Sequence, residues 1–126
     1  QIMPWLEFRR VLFRSLMSAV KGASLLISND SGPIYLADYF GVPTLSIYGP
    51  TNPEFSMPLS KHHDFIQKKL NCSPKKNEQY CFTDGGYYCP SYECMNQLTV
   101  DEVYNLSSSI LDKFGIKKIE QVNWWN

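Results

Sequence analysis

The sequence predicts an α/β fold in which a parallel β-sheet is flanked by helices. Two short apolar runs, residues 23–28 (ASLLIS) and 43–48 (PTLSIY), have the length and the turn-rich borders of buried strands. A helical segment lies between them, so that residues 23–48 are expected to form a strand, a helix and a second strand. Units of this kind are right-handed in nearly all proteins and have parallel strands.

Length and composition fit a single domain of this class. The chain has 126 residues, of which 44% are apolar, and its 12 basic and 12 acidic side chains give a formal net charge of zero. A chain of this size buries roughly two-thirds of its unfolded surface, and the apolar content excludes a disordered chain. No stretch approaches the ~20 apolar residues of a membrane helix. The neutral charge provides no broad surface for nucleic acid, so that no nucleic-acid partner is expected.

The N-terminal segment, residues 1–15, allows two interpretations. Its stretch EFRRVLFRS resembles translated sequencing adapter, which makes the segment a candidate for non-native or disordered sequence. The alternative is an amphipathic helix. The apolar face of that helix would contain Trp5, Leu6, Val11, Leu12 and Phe13. Residues 16–22 are predicted to end a helix at Gly22, whichever interpretation holds.

The helix between the two strands is predicted for residues 33–40. Pro33 suits the first helical position, where its missing N–H costs nothing, and Gly41 stands just past the end. Four apolar residues are expected to face the sheet: Ile34, Leu36, Ala37 and Phe40.

Beyond the second strand the pattern is less regular. Residues 64–68 (DFIQK) are the candidate for a third strand, and residues 71–96, which contain all four cysteines, are predicted to form an extended Cys-rich loop. Residues 99–114 are the strongest predicted helix, because Thr99 and Glu102 have the spacing of a capping box.

The predicted domain organisation follows from these elements. Residues 16–115 are expected to form the folded domain, which includes the Cys-rich loop and ends at Gly115. Residues 116–126 are expected to be a C-terminal tail.

Two turn-rich loops follow the predicted strands and together indicate a binding site. Ligands of open α/β sheets bind beyond the carboxyl ends of the strands, and the first loop also begins a helix, whose N–H groups and dipole attract anions. Gly32 allows a phosphate to approach the backbone, and Ser31 can donate a hydroxyl group. Asp30 is expected to accept from ribose hydroxyls or loop N–H groups, and Thr51 to donate to the same ligand. Either loop alone is more often a plain turn.

The segment 25–53, LLISNDSGPIYLADYFGVPTLSIYGPTNP, resembles the core of the C-terminal domain of glycosyltransferase family 9, the heptosyltransferase family of lipopolysaccharide assembly. The family's pattern is an apolar strand, Asn-Asp-(Ser/Thr)-Gly-Pro-x-His-Leu-Ala, Gly-x-Pro, a second strand, Gly-(Pro/x)-Thr and a proline. The later segments Cys72-Ser-Pro and Cys94-Met also resemble the family, so that the resemblance covers residues 16–114.

The resemblance implies that the chain is the C-terminal half of a GT-B fold, in which two Rossmann-like domains border the active-site cleft. This half binds a nucleotide-sugar donor similar to ADP-heptose. The donor-binding residues implied are Asn29, Asp30, Ser31, Gly32, Tyr35 and Thr51. The implied reaction is an inverting transfer that requires no cofactor or metal. A base in the other domain deprotonates an acceptor hydroxyl, which attacks the anomeric carbon.

Three departures from the family pattern affect these expectations. Tyr35 stands where the family has histidine, and tyrosine carries no positive charge near pH 7. The donor contacts that the family places upstream are missing from the sequence, as is the domain that supplies the catalytic base and binds the glycolipid acceptor. The chain alone is therefore predicted to be inactive and to contain no catalytic residue.

The four cysteines leave three chemical states open. The intervals between Cys72, Cys81, Cys89 and Cys94 contain 8, 7 and 4 residues, and none has the C-x-x-C spacing common in zinc sites. A structural zinc ion, free buried thiols and disulfides are the alternatives. The family and the lack of a signal-peptide pattern indicate a cytoplasmic location, where stable disulfides are not the default.

The basic residues and two rival functions complete the expectations. Four lysines could face lipid phosphates at the inner face of the membrane, although a solvated surface is the plainer interpretation. They are Lys68, Lys69, Lys75 and Lys76.

The rival functions are a stand-alone Cys-rich zinc or interaction module and a fragment of a sugar-nucleotide epimerase with the GT-B layout.

Overall fold

The computed structural model describes residues 3–81, 89 and 91–116 of the chain, with side chains from residue 9 onward. These residues form five helices and three strands. In chain order they are α1 (Met3–Lys21), β1 (Leu26–Asn29), α2 (Gly32–Tyr39), β2 (Thr44–Tyr48), α3 (Pro53–Ser56), β3 (His63–Gln67), α4 (Glu93–Asn96) and α5 (Val100–Lys113). The strands form a parallel sheet in the order β1-β2-β3. This arrangement confirms the predicted Rossmann-like α/β fold.

The middle strand, β2, is the centre of the sheet and of the core. It pairs with β1 on one edge and with β3 on the other. Thr44, Leu45 and Ser46 have no exposed surface, and Tyr48 is 1% exposed. A strand that is hydrogen-bonded on both edges and covered on both faces has no place for charged side chains, and residues 44–48 (TLSIY) contain none.

The outer strands begin at positions that differ from the prediction. β1 starts at Leu26 rather than at residue 23, because Ala23 still belongs to the turn that follows α1, where its N–H donates to the Val20 carbonyl at 3.1 Å. β3 starts at His63, one residue early, because the Thr44 N–H donates to the His62 carbonyl at 2.9 Å and extends the β2–β3 ladder.

Helix α2 covers one face of the sheet, as the sequence predicts. Ile34 and Ala37 are buried, whereas Leu36 and Phe40 are only partly buried. Past the end of α2, Gly41 has φ +70°, a left-handed conformation that glycine adopts without steric cost.

Helix α1 extends through most of the N-terminal segment, so that residues 3–15 have the conformation of the second sequence interpretation. Among its described side chains Val20 is the buried one, and it packs in a cluster with Ala37 and Val42. Val11 is 53% exposed. The non-native origin of residues 1–15 stays a prediction. Among the described residues, no helix combines the length and the hydropathy needed to cross a bilayer.

Helix α5 lies on the opposite face of the sheet from α2. Successive strand residues point to opposite faces. Leu26 packs against the α1–α2 cluster, whereas Ile27 lines an apolar cavity together with Val103 and Ser107 of α5. The predicted capping box is confirmed, since Thr99 Oγ1 accepts from the Glu102 N–H at 3.3 Å and Glu102 Oε2 accepts from the Thr99 N–H at 2.9 Å.

The Cys-rich loop is less irregular than predicted. Its last part contains the one-turn helix α4, which begins after Tyr92, a residue in the left-handed conformation with φ +50°. Residues 82–88 and 90 of this loop lie outside the described residues, as does the predicted tail apart from residue 116.

Candidate functional site

The loop between β1 and α2 lies at the carboxyl edge of the sheet, where the sequence predicts a binding site. Asn29 ends β1 and is exposed. Ser31 is the N-cap residue of α2, yet its side chain makes no capping hydrogen bond. Its Oγ instead shares a 2.9 Å hydrogen bond with Ser28 Oγ. No side chain therefore caps α2. The Ile34 N–H donates to the Ser31 carbonyl at 3.1 Å and Pro33 has no N–H, so that the Gly32 N–H is the first-turn donor that remains accessible to an anion.

The backbone at Gly32 borders open space. A Cβ atom placed on this residue would meet no other atom within 4 Å. Gly32 does not have a positive φ; among the described glycines, Gly41 and Gly115 do. The backbone conformation therefore does not require glycine at position 32, and the open space allows a ligand to approach.

Asp30 and Tyr35 meet at Ser56, the last residue of α3. The Ser56 hydroxyl donates to Asp30 Oδ2 at 3.1 Å, and the Tyr35 hydroxyl donates to the Ser56 main-chain carbonyl. The sequence predicted loop N–H groups or ribose as the partners of Asp30, whereas the partner in the structure is a side chain 26 residues away. The available signal was Asn52 followed by Pro53, which is typical of the start of a short helix.

Tyr48 lies next to this junction at the end of β2. It is 1% exposed, and its hydroxyl lies beside Ser46 and Ser56 without forming a well-shaped hydrogen bond to either. Burial, together with the negative charge of Asp30, raises the pKa of Tyr48 and that of Tyr35. Both tyrosines are therefore neutral near pH 7 and can donate a proton in a hydrogen bond.

Thr51 belongs to a different network. Its backbone forms an antiparallel bridge with Tyr80, and its carbonyl accepts from Gln67 Nε2 at 2.8 Å. Among the described residues, no hydrogen bond joins Thr51 to Asp30 or Ser31. Its predicted contact with the ligand of the first loop stays a prediction.

Asn52 attaches the start of the Cys-rich loop to the site edge, and nothing in the sequence pattern singles it out for this role. It is 7% exposed and caps α3 by accepting from the Glu54 N–H at 3.1 Å. Its Nδ2 donates to the carbonyls of Lys75 and Glu78, both at 3.1 Å.

The four cysteines are free thiols, and two of them, Cys81 and Cys94, lie beside the residues that follow β2. The Cys81 N–H donates to the Pro50 carbonyl at 2.9 Å. A Cβ atom on Gly49 would lie 3.6 Å from Cys94 Sγ and 2.9 Å from Met95 Sδ, so that a larger residue here would require the Met95 side chain to shift.

The four lysines do not form one uniform basic surface. Lys68 forms an ion pair with Glu102 of α5, and its contact with lipid phosphates stays a prediction. Lys69 and Lys76 line a cavity of about 440 Å³ that also contains Glu54. The acidic side chain makes this cavity mixed in charge.

Comparisons with known proteins agree with the resemblance. A family model described as glycosyltransferase family 9 (heptosyltransferase) matches residues 10–84. The chain is 31% identical to lipopolysaccharide heptosyltransferase 1 of Pseudomonas aeruginosa over 65 residues. The matched segment covers 52% of this chain and 18% of that protein. It is 25% identical to lipooligosaccharide heptosyltransferase 2 of Campylobacter jejuni over 105 residues. That matched segment covers 81% of this chain and 30% of that protein. The chain thus spans less than a third of the length of either relative, and no solved structure matches it.

Proposed function

Because the chain belongs to glycosyltransferase family 9, the heptosyltransferase family, we propose that it binds the nucleotide-sugar donor of an inverting glycosyl transfer. The names of the relatives, lipopolysaccharide and lipooligosaccharide heptosyltransferases, support a donor similar to ADP-heptose and a glycolipid acceptor. The proposed location is the cytoplasm, at the inner face of the membrane. The proposed catalytic base and acceptor site lie in a second domain, as in a GT-B fold, so that this chain alone transfers no sugar.

The uncapped start of α2 is the observation that carries the proposal. It lies at the carboxyl edge of a parallel sheet, which is where α/β sheets bind nucleotides. Ser31 makes no cap and Gly32 borders open space, so that a diphosphate can reach the helix N-terminus. When the bond to the sugar breaks, the diphosphate leaves as an anion. The helix dipole and the N–H groups then stabilise the charge that develops.

Asp30 and Tyr35 are proposed to position the rest of the donor. Ser56 occupies Oδ2 of Asp30, and we assign Oδ1 to a ribose hydroxyl. Because Asp30 repels phosphate at contact distance, this assignment places the ribose beside Asp30 and the diphosphate beside Ser31 and Gly32. Tyr35 is 47% exposed and offers its ring to the same ligand.

Calorimetric titration of the chain with ADP and with UDP tests this function. Gly32→Trp is expected to weaken diphosphate binding about tenfold or more, equivalent to about 1.4 kcal/mol, because the indole fills the open space that the ligand needs. The matched control is Tyr39→Trp, which places the same side chain at the far end of α2 on a residue that is 82% exposed. The control is expected to bind like the wild type.

Two results would contradict the proposed function. One is the absence of any nucleoside diphosphate binding by the folded wild-type chain. The other is equal affinity in Gly32→Trp and Tyr39→Trp, with both variants retaining the wild-type melting temperature. Asp30→Asn is a useful companion, because its side-chain oxygen still accepts from Ser56 while the negative charge is removed.

A further inference from the structure

We propose that the cavity between α3, β3 and residues 73–76 binds a small organic carboxylate that has an apolar or ring-shaped body. The cavity has a volume of about 440 Å³, which lies within the range of small-molecule sites. This site is separate from the N-terminus of α2, so that the proposal does not depend on the donor function. The residues that carry the argument are Pro53, Glu54, Met57, Phe65, Lys69 and Lys76.

Strand β3 and the residues after it supply one wall of the cavity. Phe65 and Gln67 point to the same face of the sheet, because side chains alternate along a strand, and both line the cavity together with Lys69. The Phe65 ring packs in a T-shaped arrangement on Tyr48, with 5.8 Å between the centroids, and is 37% exposed. The Gln67 amide donates to two main-chain carbonyls of the loop after β2, at 3.0 and 2.8 Å. This wall is therefore fixed and presents an aromatic surface.

Helix α3 and residues 73–76 supply the other walls, and the buried Asn52 joins them. Its Oδ1 accepts from the Glu54 N–H at 3.1 Å, and its Nδ2 donates to the carbonyls of Lys75 and Glu78, both at 3.1 Å. Asn52 is 7% exposed and itself lines the cavity. Because one buried side chain holds both elements, the cavity is formed before a ligand arrives, and binding has little chain to order.

A tight turn after β3 brings Lys76 back toward Lys69. The Leu70 N–H donates to Ser73 Oγ at 2.8 Å, and the Ser73 N–H donates to the Leu70 carbonyl at 3.0 Å. Ser73 also lines the cavity. The two lysines therefore border one cavity from separate segments, each of which is held by its own hydrogen bonds.

The charges that line the cavity are available to a ligand. Among the described residues, neither Lys69 nor Lys76 forms an ion pair, although Glu54 lines the same cavity. Lys68 differs, because its ammonium group already pairs with Glu102. Two ammonium groups and one carboxylate leave one positive charge unbalanced in the cavity.

This set of side chains selects for a singly charged anion. The two lysine ammonium groups attract an oxyanion, while Pro53, Met57 and Phe65 offer apolar surface to the body of the ligand. Glu54 repels a second negative charge and accepts from a hydroxyl or N–H group of the ligand. A carboxylate on a ring therefore fits better than a doubly charged phosphate monoester.

Titration of the ¹⁵N-labelled chain with benzoate, followed by the backbone amide resonances, tests this inference. Saturable shifts are expected at Phe65, Gln67, Lys69 and Lys76. Benzyl alcohol has the same ring without the charge and is expected to bind about fivefold more weakly or less still. Equal affinity for benzoate and benzyl alcohol would overturn the inference, and so would benzoate shifts that leave these four amides unchanged.

Three substitutions of exposed side chains give the second arm of the test. Lys69→Gln and Lys76→Gln are each expected to weaken benzoate binding about two- to fivefold. Glu54→Gln removes the repelling charge, keeps the N–H that donates to Asn52, and is expected to strengthen binding.

Lys61→Gln is the matched control for the lysine variants. It makes the same change in net charge at an exposed lysine that does not line the cavity, and it is expected to bind benzoate like the wild type. Lysine variants of the cavity that bind as tightly as Lys61→Gln, or a Glu54→Gln variant that binds more weakly than the wild type, would contradict the proposal. Neither result bears on ADP binding at Gly32, so that failure of this site and failure of the donor site are distinguishable.

Discussion

Ser56 joins two residues that the sequence places in the binding site. Its hydroxyl holds Asp30 from the β1–α2 loop, and its main-chain carbonyl holds the Tyr35 hydroxyl from α2. The single turn of α3 therefore sets the position of both side chains. This role cannot be read from the sequence around Ser56, because it depends on two contacts that are 26 and 21 residues away.

The substitution Ser56→Ala separates these two contacts. It removes the hydroxyl that donates to Asp30 and keeps the carbonyl that accepts from Tyr35. A net loss of about 0.5–1.5 kcal/mol for one hydrogen bond predicts a roughly two- to twelvefold weaker affinity for ADP, measured by calorimetry. Ser56→Thr retains the hydroxyl and is the control. If Ser56→Ala binds ADP as tightly as Ser56→Thr, the site does not use Asp30 in this orientation.

At the scale of elements, helix α5 shows most clearly what local sequence can predict. Its capping box needs only residues 99 and 102, which are neighbours along one helical turn, and the structure has both hydrogen bonds. The same holds for α2, with Pro33 at its start and Gly41 past its end.

The one-turn helices α3 and α4 could not be predicted in the same way. Asn52 at the start of α3 is held by the carbonyls of Lys75 and Glu78, more than 20 residues later. Helix α4 begins at a left-handed Tyr92 and packs by Met95 against Gly49. Tertiary contacts of this kind determine short helices more strongly than their own propensity does. The same holds for the predicted site. Ser31 and Gly32 could be recognised from the local sequence, whereas the partner of Asp30 lies 26 residues away and could not.

The attachment of α5 to the sheet is expected to weaken in acid. The hydrogen bond from Lys68, followed by that from the Thr99 N–H, lowers the pKa of Glu102 from 4.5 to about 2. A carboxylate whose pKa is depressed by folding stabilises the folded state above its unfolded pKa, and this contribution is lost as the pH falls through the folded value. The loss is therefore expected between about pH 4.5 and about pH 2.

Thermal unfolding of the wild type and of Glu102→Gln across this range measures the effect. Glutamine keeps the capping box but removes the charge. The melting temperatures are expected to differ above about pH 4.5 and to converge as the pH falls toward about 2. Asp101→Asn, which removes a charge from the same helical turn, is the control. A gap between wild type and Glu102→Gln that stays constant with pH would show that the ion pair with Lys68 adds nothing.

At the scale of the whole molecule, one edge of the sheet carries all of the proposed chemistry. The strands are parallel, so that their carboxyl ends lie together. The β1 end leads into the uncapped α2, the β2 end supports Cys81 and Cys94, and Cys72 follows β3 by five residues. Asn52 and Thr51 connect the donor loop side of this edge to the Cys-rich loop.

The central claim is that a nucleoside diphosphate binds at the N-terminus of α2. The most direct test is a titration of the ¹⁵N-labelled chain with ADP, followed by the backbone amide resonances. The largest shift is predicted for Gly32, since Pro33 has no N–H and the Ile34 N–H already donates to the Ser31 carbonyl at 3.1 Å. Shifts confined to the cavity lined by Lys69 and Lys76, with the α2 amides unchanged, would contradict the claim.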